Sequence, residues 1–67
     1  MDFLEGLVER ITYYNAENGY TVLRLSARGY ADLVSVIGNL PEITPGESLR
    51  LQGQWSTNSQ YGKQFKA

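Results

Sequence analysis

Leu49-Arg50-Leu51-Gln52-Gly53-Gln54-Trp55 alternates without interruption: Leu49, Leu51, Gly53 and Trp55 take one side, and Arg50, Gln52 and Gln54 the other. Successive side chains of an extended strand point to opposite faces, so the stretch reads as a strand with one buried and one wet face. Nothing in the 67 residues sustains a helical repeat, whereas period-two runs recur at intervals of roughly 10 to 15 residues. The chain is therefore expected to be all-β.

Upstream of this strand, Asn39-Leu40-Pro41-Glu42-Ile43-Thr44-Pro45-Gly46-Glu47 carries two prolines, which remove amide donors, and Pro45-Gly46 favours a type II turn. It predicts a loop, with at most a single turn around Pro41 to Ile43. Leu33 to Gly38 is β-branched and apolar and predicts a third strand, entered through a turn at Arg28-Gly29-Tyr30. Tyr20 to Ala27 predicts the second. It follows Asn15-Ala16-Glu17-Asn18-Gly19, whose Asn-Gly pair supplies the positive φ angles of a hairpin end, so strands one and two should be antiparallel neighbours. The first strand, Leu4 to Tyr13, puts Gly6 and Val8 on one face but Ile11 three residues further on, which requires a β-bulge.

Downstream, Ser56-Thr57-Asn58-Ser59-Gln60 predicts a polar loop and Tyr61-Gly62 a turn. A fifth strand begins near Gln64, with Phe65 and Ala67 inward and Lys66 outward. The chain stops as this strand starts, so the fifth strand is expected to be truncated and the chain to be a piece of a longer protein. Unpaired edge amides invite pairing with another chain, and weak self-association of the fragment is expected. A hairpin meander, a break after the third strand and a return pair fit a small five-stranded Greek-key barrel of the OB type, with an SH3-like barrel as the alternative. Residues 1–67 leave room for one small core, hence a single domain.

The chain has no cysteine and no histidine, so neither a disulfide nor the usual zinc ligands can staple it, and packing must hold it. No metal, cofactor or catalytic site is expected. Its apolar runs fall far short of the ~20 residues of a membrane span, and its first residues are not a signal sequence, which predicts a cytoplasmic chain without a membrane partner. Nucleophilic catalysis needs a base beside the nucleophile, and scattered carboxylates and two lysines are the only bases on offer. Glu5 and Glu9 could share a strand face, but such a pair on a wet face reads as solubility rather than an acid/base dyad.

Net charge is −1, unevenly spread: residues 1–47 hold all seven acids against Arg10, Arg24 and Arg28, while residues 48–67 hold Arg50, Lys63 and Lys66 and no acid. Sequence-independent affinity for nucleic acid comes from cations that release counterions, so any such role must be local. OB folds bind single strands by stacking bases on aromatic rings between basic residues. The first candidate set for that work is Tyr13, Tyr14, Tyr20, Arg24 and Tyr30. The second is Arg50, Tyr61, Lys63 and Lys66, with Trp55 nearby. Against these stand plainer readings, with Tyr20 and Tyr13 packed together over the hairpin, Arg24 solvated and Trp55 a plug in the core.

The elements Glu5-Gly6, Val8-Glu9-Arg10-Ile11-Thr12-Tyr13, Asn18-Gly19-Tyr20-Thr21-Val22-Leu23, Val36-Ile37-Gly38-Asn39-Leu40-Pro41, Pro45-Gly46-Glu47, Gly53-Gln54-Trp55 and Tyr61-Gly62-Lys63-Gln64-Phe65 follow one another over nearly the whole chain. In this order they resemble the extreme N-terminus of the long-form RecD-like DNA helicases, often named exodeoxyribonuclease V alpha subunit. The resemblance implies a parent that is an ATP-driven helicase of bacterial DNA repair or recombination, using ATP and Mg²⁺ in a portion outside these residues. Gly62-Lys63 is not that portion's phosphate loop, because Gln64 follows it and Thr57 stands where the first glycine belongs. Two roles are then implied: docking on, or regulating, the helicase core of the same chain, which the acidic balance favours, and guiding single-stranded DNA to the motor.

Overall fold

Each period-two run becomes a strand in the computed structural model, which describes residues 1–60 and 62–67. The strands are β1 (Asp2–Asn15), β2 (Tyr20–Ala27), β3 (Val34–Asn39), β4 (Ser48–Asn58) and β5 (Gly62–Lys66). They form one closed barrel in the order β1-β2-β3-β5-β4. All neighbours are antiparallel except β3 and β5, which run parallel through Ser35–Ile37 and Gln64–Lys66. This is the five-stranded plan expected of an OB fold. Among the described residues no helix is long and apolar enough to cross a membrane.

The β1–β2 hairpin closes through a turn at 16–19, where Gly19 alone of the Asn18-Gly19 pair takes a positive φ, 76°, and donates its N–H to the Asn15 carbonyl at 2.8 Å; Asn18 keeps a negative φ, because its side chain rather than its backbone serves the turn. Asparagine side chains brace it: Asn15 Oδ1 accepts from Glu17 N–H and Asn18 Oδ1 from Tyr20 N–H, both at 2.9 Å. These are the local bonds that make Asn a turn residue. The connector between β3 and β4 is a loop without a helical turn. It is tied down by Val8 N–H to the Glu47 carbonyl, Gly46 N–H to the Val8 carbonyl and Leu40 N–H to the Gly19 carbonyl, so that Ile43 is buried over the barrel end.

Leu4 and Val8 of β1, Leu23, Leu25 and Ala27 of β2, Val34 and Val36 of β3, Phe65 of β5 and Ile43 form the core. Thr21 is the polar residue buried among them, and its hydroxyl donates to the Gly19 carbonyl at 3.0 Å. Leu49, Leu51 and Trp55 are only half-buried, where alternation predicted a buried face, because β4 packs its inward residues against the outside of this cluster.

Three expectations about the C-terminal part are corrected. Ser56, Thr57 and Asn58 are strand rather than loop, because β5 pairs back on them as far as Asn58 opposite Gly62, and that ladder outweighs their polar composition. The fifth strand, although only five residues long, lacks the open edge predicted for it, since β3 covers one side and β4 the other. Ala67 lies beyond β5, exposed rather than inward, with its N–H donating to the Ile37 carbonyl at 2.9 Å.

Closure depends on the missing side chain of Gly53. A Cβ there would run into the carbonyl group of Lys66, a backbone neighbour that cannot swing aside. Gly53→Ala is expected to destabilise the barrel by about 3 kcal/mol, the upper end of overpacking costs, as read by urea unfolding followed at Trp55.

Candidate nucleic-acid interface

Two bulges on β1 decide what its second half presents. The register runs Val8↔Leu25 then Arg10↔Arg24, and Ile11↔Leu23 then Tyr13↔Val22, which leaves Glu9 and Thr12 as the extra residues. Each bulge resets the alternation. Without Thr12 as the extra residue, Tyr13 would share the inward side of Ile11; with it, Tyr13 stands opposite Val22 on the outer face and Tyr14 opposite the buried Thr21. The Thr12 hydroxyl donates to the Val22 carbonyl at 3.1 Å, giving that carbonyl a partner at the irregularity.

On β2, Leu23 and Leu25 are fully buried, so Val22 and Arg24 point outward. The ladder then sets two rows across the barrel wall. One runs Arg10, Arg24, Ser35, Gln64, Ser56; the other runs Tyr13, Val22, Ile37, Lys66, Gln54. Between them lies a groove of ≈ 570 Å³ with an apolar floor of Val22 and Ile37, Tyr13 and Tyr20 at one end, and Arg24 and Lys66 on its flanks. Thr12, Ser35, Ser56, Thr57, Asn58 and Gln64 complete the lining, and no carboxylate takes part. The two tyrosine rings meet edge to face, centroids 6.2 Å apart at 60°, and Tyr13 remains 51% exposed. Tyr20 thus braces Tyr13 while about half of Tyr13 stays open to a planar group.

Arg10 and Arg24 stand directly opposite each other, and neither they nor Lys66 make an ion pair among the described residues. Like charges opposed across a ladder cost stability, and no ion pair among the described residues offsets this one. A bound polyanion would.

Of the residues singled out from sequence, Tyr13, Tyr20, Arg24 and Lys66 come together here. The others do not. Tyr14, itself exposed, lines a separate groove with Ile11 and Ile43. Tyr30 packs on Trp55 with centroids 5.7 Å apart, Trp55 meets Phe65 edge-on at 5.1 Å, and Lys63 Nζ sits 4.5 Å from the Trp55 ring, so Trp55 is a half-buried plug under a cation. Lys63 is turned from the groove because it shares the side of Phe65 in β5, opposite to Gln64 and Lys66. Arg50 is on the far wall, its Nη2 3.0 Å from Glu5 Oε2, and Glu5 also faces Arg28 at 3.4 Å. Tyr61 lies outside the described residues.

The sequence model for the OB-fold domain of the ATP-dependent DNA helicase YrrC matches residues 1–67. The chain belongs to this family of helicase OB-fold domains. No solved structure matches it. Within this YrrC-type domain, sequence reasoning missed Arg10, Thr12, Ser35 and Gln64. Arg10 could have been found by taking Glu9 as the bulged residue, which moves Arg10 to the face of Arg24; the other three needed the β3–β5 pairing or the second bulge.

The opposed arginines generate a test of their own. Arg24→Gln is expected to leave stability unchanged or raise it by about 0.5 kcal/mol, with the gain shrinking as salt screens the pair. Thermal unfolding at low and high ionic strength reads this; a clear loss would mean that Arg24 is there to hold the barrel.

Proposed function

We propose that this domain is the accessory, non-catalytic N-terminal module of a RecD-like, exodeoxyribonuclease V alpha-type helicase acting in DNA repair and recombination, and that its groove holds single-stranded DNA near the motor. One observation carries the reading: a chain of net charge −1 gathers three cations and two tyrosines on one wall of the barrel, around a groove that no carboxylate lines. The apolar floor and the exposed Tyr13 ring suit bases, and Arg10, Arg24 and Lys66 suit phosphates.

In this reading the helicase core of the same chain is the first partner, ATP and Mg²⁺ act there, and the protein works in the cytoplasm. Docking on the core is the second reading. It is favoured by Phe3 and Leu7, which stand exposed on the outer face of β1 beside β4, on the wall opposite the groove. The two readings use different walls and are compatible.

Titrating a fluorescein-labelled oligothymidylate with the domain and following anisotropy tests the groove. A dissociation constant of about 10⁻⁴ M is expected at physiological salt, tightening as salt falls. Arg24→Ala or Lys66→Ala should each flatten the log–log salt dependence by about 0.7, the increment per phosphate contact on a single strand. Tyr13→Ala should cost about 1–3 kcal/mol, the worth of one stacked base. Arg50→Ala and Lys63→Ala should leave binding unchanged. A flat trace at low salt and high protein concentration would sink the groove and leave docking.

A further inference from the structure

β1 is paired on both sides over only part of its length. β4 accompanies it through Asp2–Leu7, but β2 begins its pairing at Gly6 opposite Ala27, so Asp2–Leu4 has one side uncovered among the described residues. Hydrogen-bond parity tells which groups face that side. Val8 exchanges bonds with the segment leading into β4, donating to the Glu47 carbonyl at 2.9 Å and accepting from Gly46 N–H at 2.8 Å. Val8, Gly6 and Leu4 therefore direct their backbone groups toward β4. Glu5 has the other parity. Its carbonyl accepts from Arg28 N–H at 2.8 Å, the last bond on the β2 side. Phe3, two residues earlier, turns its N–H and carbonyl the same way, where no strand receives them.

A groove of ≈ 460 Å³ surrounds this stretch, lined by Phe3, Leu4, Glu5, Arg28, Tyr30 and Arg50. Its rings are open to solvent, with Phe3 69% exposed. Glu5 lies between Arg28 and Arg50, whose side chains are 86% and 79% exposed. One carboxylate cannot balance two guanidiniums or occupy their donors, so the groove keeps a surplus of positive charge and unused N–H groups.

We propose that this groove docks an extended segment of a partner protein bearing alternating carboxylates and apolar side chains, added as a short strand beside Phe3. The partner's backbone meets the Phe3 N–H and carbonyl, its carboxylates take the outer face that Glu5 shares with Arg28 and Arg50, and its apolar side chains take the other face, toward Leu4 and Tyr30. Strand addition needs a donor and an acceptor on the incoming chain at peptide spacing. A phosphodiester backbone offers acceptors alone and would meet Glu5 at the centre of the groove. The proposal goes beyond docking on the helicase core, since its occupant is a separate protein, and it is independent of the strand groove on the opposite wall.

The test is a titration of the ¹⁵N-labelled domain with an acetylated, amidated octapeptide of alternating aspartate and valine, followed by NMR, with a lysine–valine octapeptide as control. The aspartate peptide is expected to shift the amides of Phe3, Glu5 and Arg28, to leave those of Val22, Ile37 and Lys66 in place, and to slow hydrogen exchange at Phe3 by about tenfold. The control should bind at least about tenfold more weakly, and an Arg28→Ala, Arg50→Ala double variant should lose about the same factor with its fold intact, because both side chains are solvent-exposed. Equal binding of the two peptides, no shift at Phe3 at millimolar peptide, shifts at Phe3 caused by oligothymidylate, or shifts at Phe3 that appear with domain concentration alone would each overturn it. The last would put a second copy of the chain on this edge. Failure of the peptide leaves the oligothymidylate titration and its Lys66 and Tyr13 responses untouched, so the two ideas fall separately.

Discussion

β5 holds the barrel and the groove together. It is five residues long, and every residue from Lys63 to Lys66 has a separate task because β3 lies on one side of it and β4 on the other. Phe65 is fully buried and supplies the ring against which Trp55 packs. Lys63, on the same side, covers Trp55 from outside. Gln64 and Lys66 point the other way, into the groove. The core and the candidate interface therefore share one short ladder, and anything that prises β5 away removes Lys66 from beside Ile37 at the same moment as it takes Phe65 from the core. Gly53 and its close approach to Lys66 are the local condition for that ladder.

The second condition sits on β1. A strand that must serve β4 with its first half and β2 with its second has to bend, and bulges bend strands by inserting a residue that the partner does not match. Here the insertion does more than bend. Glu9 and Thr12 as extra residues bring Arg10 and Tyr13 to the outer face in turn, so the curvature that closes the barrel also stocks the groove. The opposed Arg10 and Arg24 are then a local disadvantage that no ion pair among the described residues relieves, and one that a polyanion bound on this wall would relieve.

Strand number, the hairpin at Asn18-Gly19, the proline-marked connector and the need for a bulge near Val8 were all legible in the sequence, because each rests on a local pattern: alternation, positive φ or a lost amide donor. What was not legible is non-local. The parallel pairing of β3 with β5 has no sequence signature, yet it decides that Lys66 joins Arg24 while Lys63 does not, and it splits a basic cluster that proximity along the chain had treated as one. Polar Ser56, Thr57 and Asn58 read as a loop because composition cannot register a partner strand. The second bulge was equally hidden: Ile11-Thr12-Tyr13-Tyr14 lets either tyrosine join the outer face of β2, and only the register with β2 sets Tyr13 beside Val22 in the groove.

The same point governs charge. Summed over the chain, the net charge of −1 argues against nucleic acid and toward docking. The barrel, however, measures 30 × 27 × 21 Å, and at physiological ionic strength charges are screened over about 8 Å, so a ligand on one wall responds to that wall and little else. On the β2–β3–β5 wall the groove's charged lining is cationic, Arg24 and Lys66, with Arg10 opposite Arg24 in the ladder. On the opposite wall two arginines share Glu5, and Phe3 and Leu7 stand beside them. A sum that is nearly neutral thus conceals two basic faces of different character: one with an apolar floor and hydroxyl and amide walls, the other with exposed rings and a free stretch of backbone. The first kind of face matches the flat bases and diffuse charge of a single strand. The second matches the directional donors and acceptors of a polypeptide, which is the arrangement a domain placed between a nucleic-acid strand and a protein surface would need.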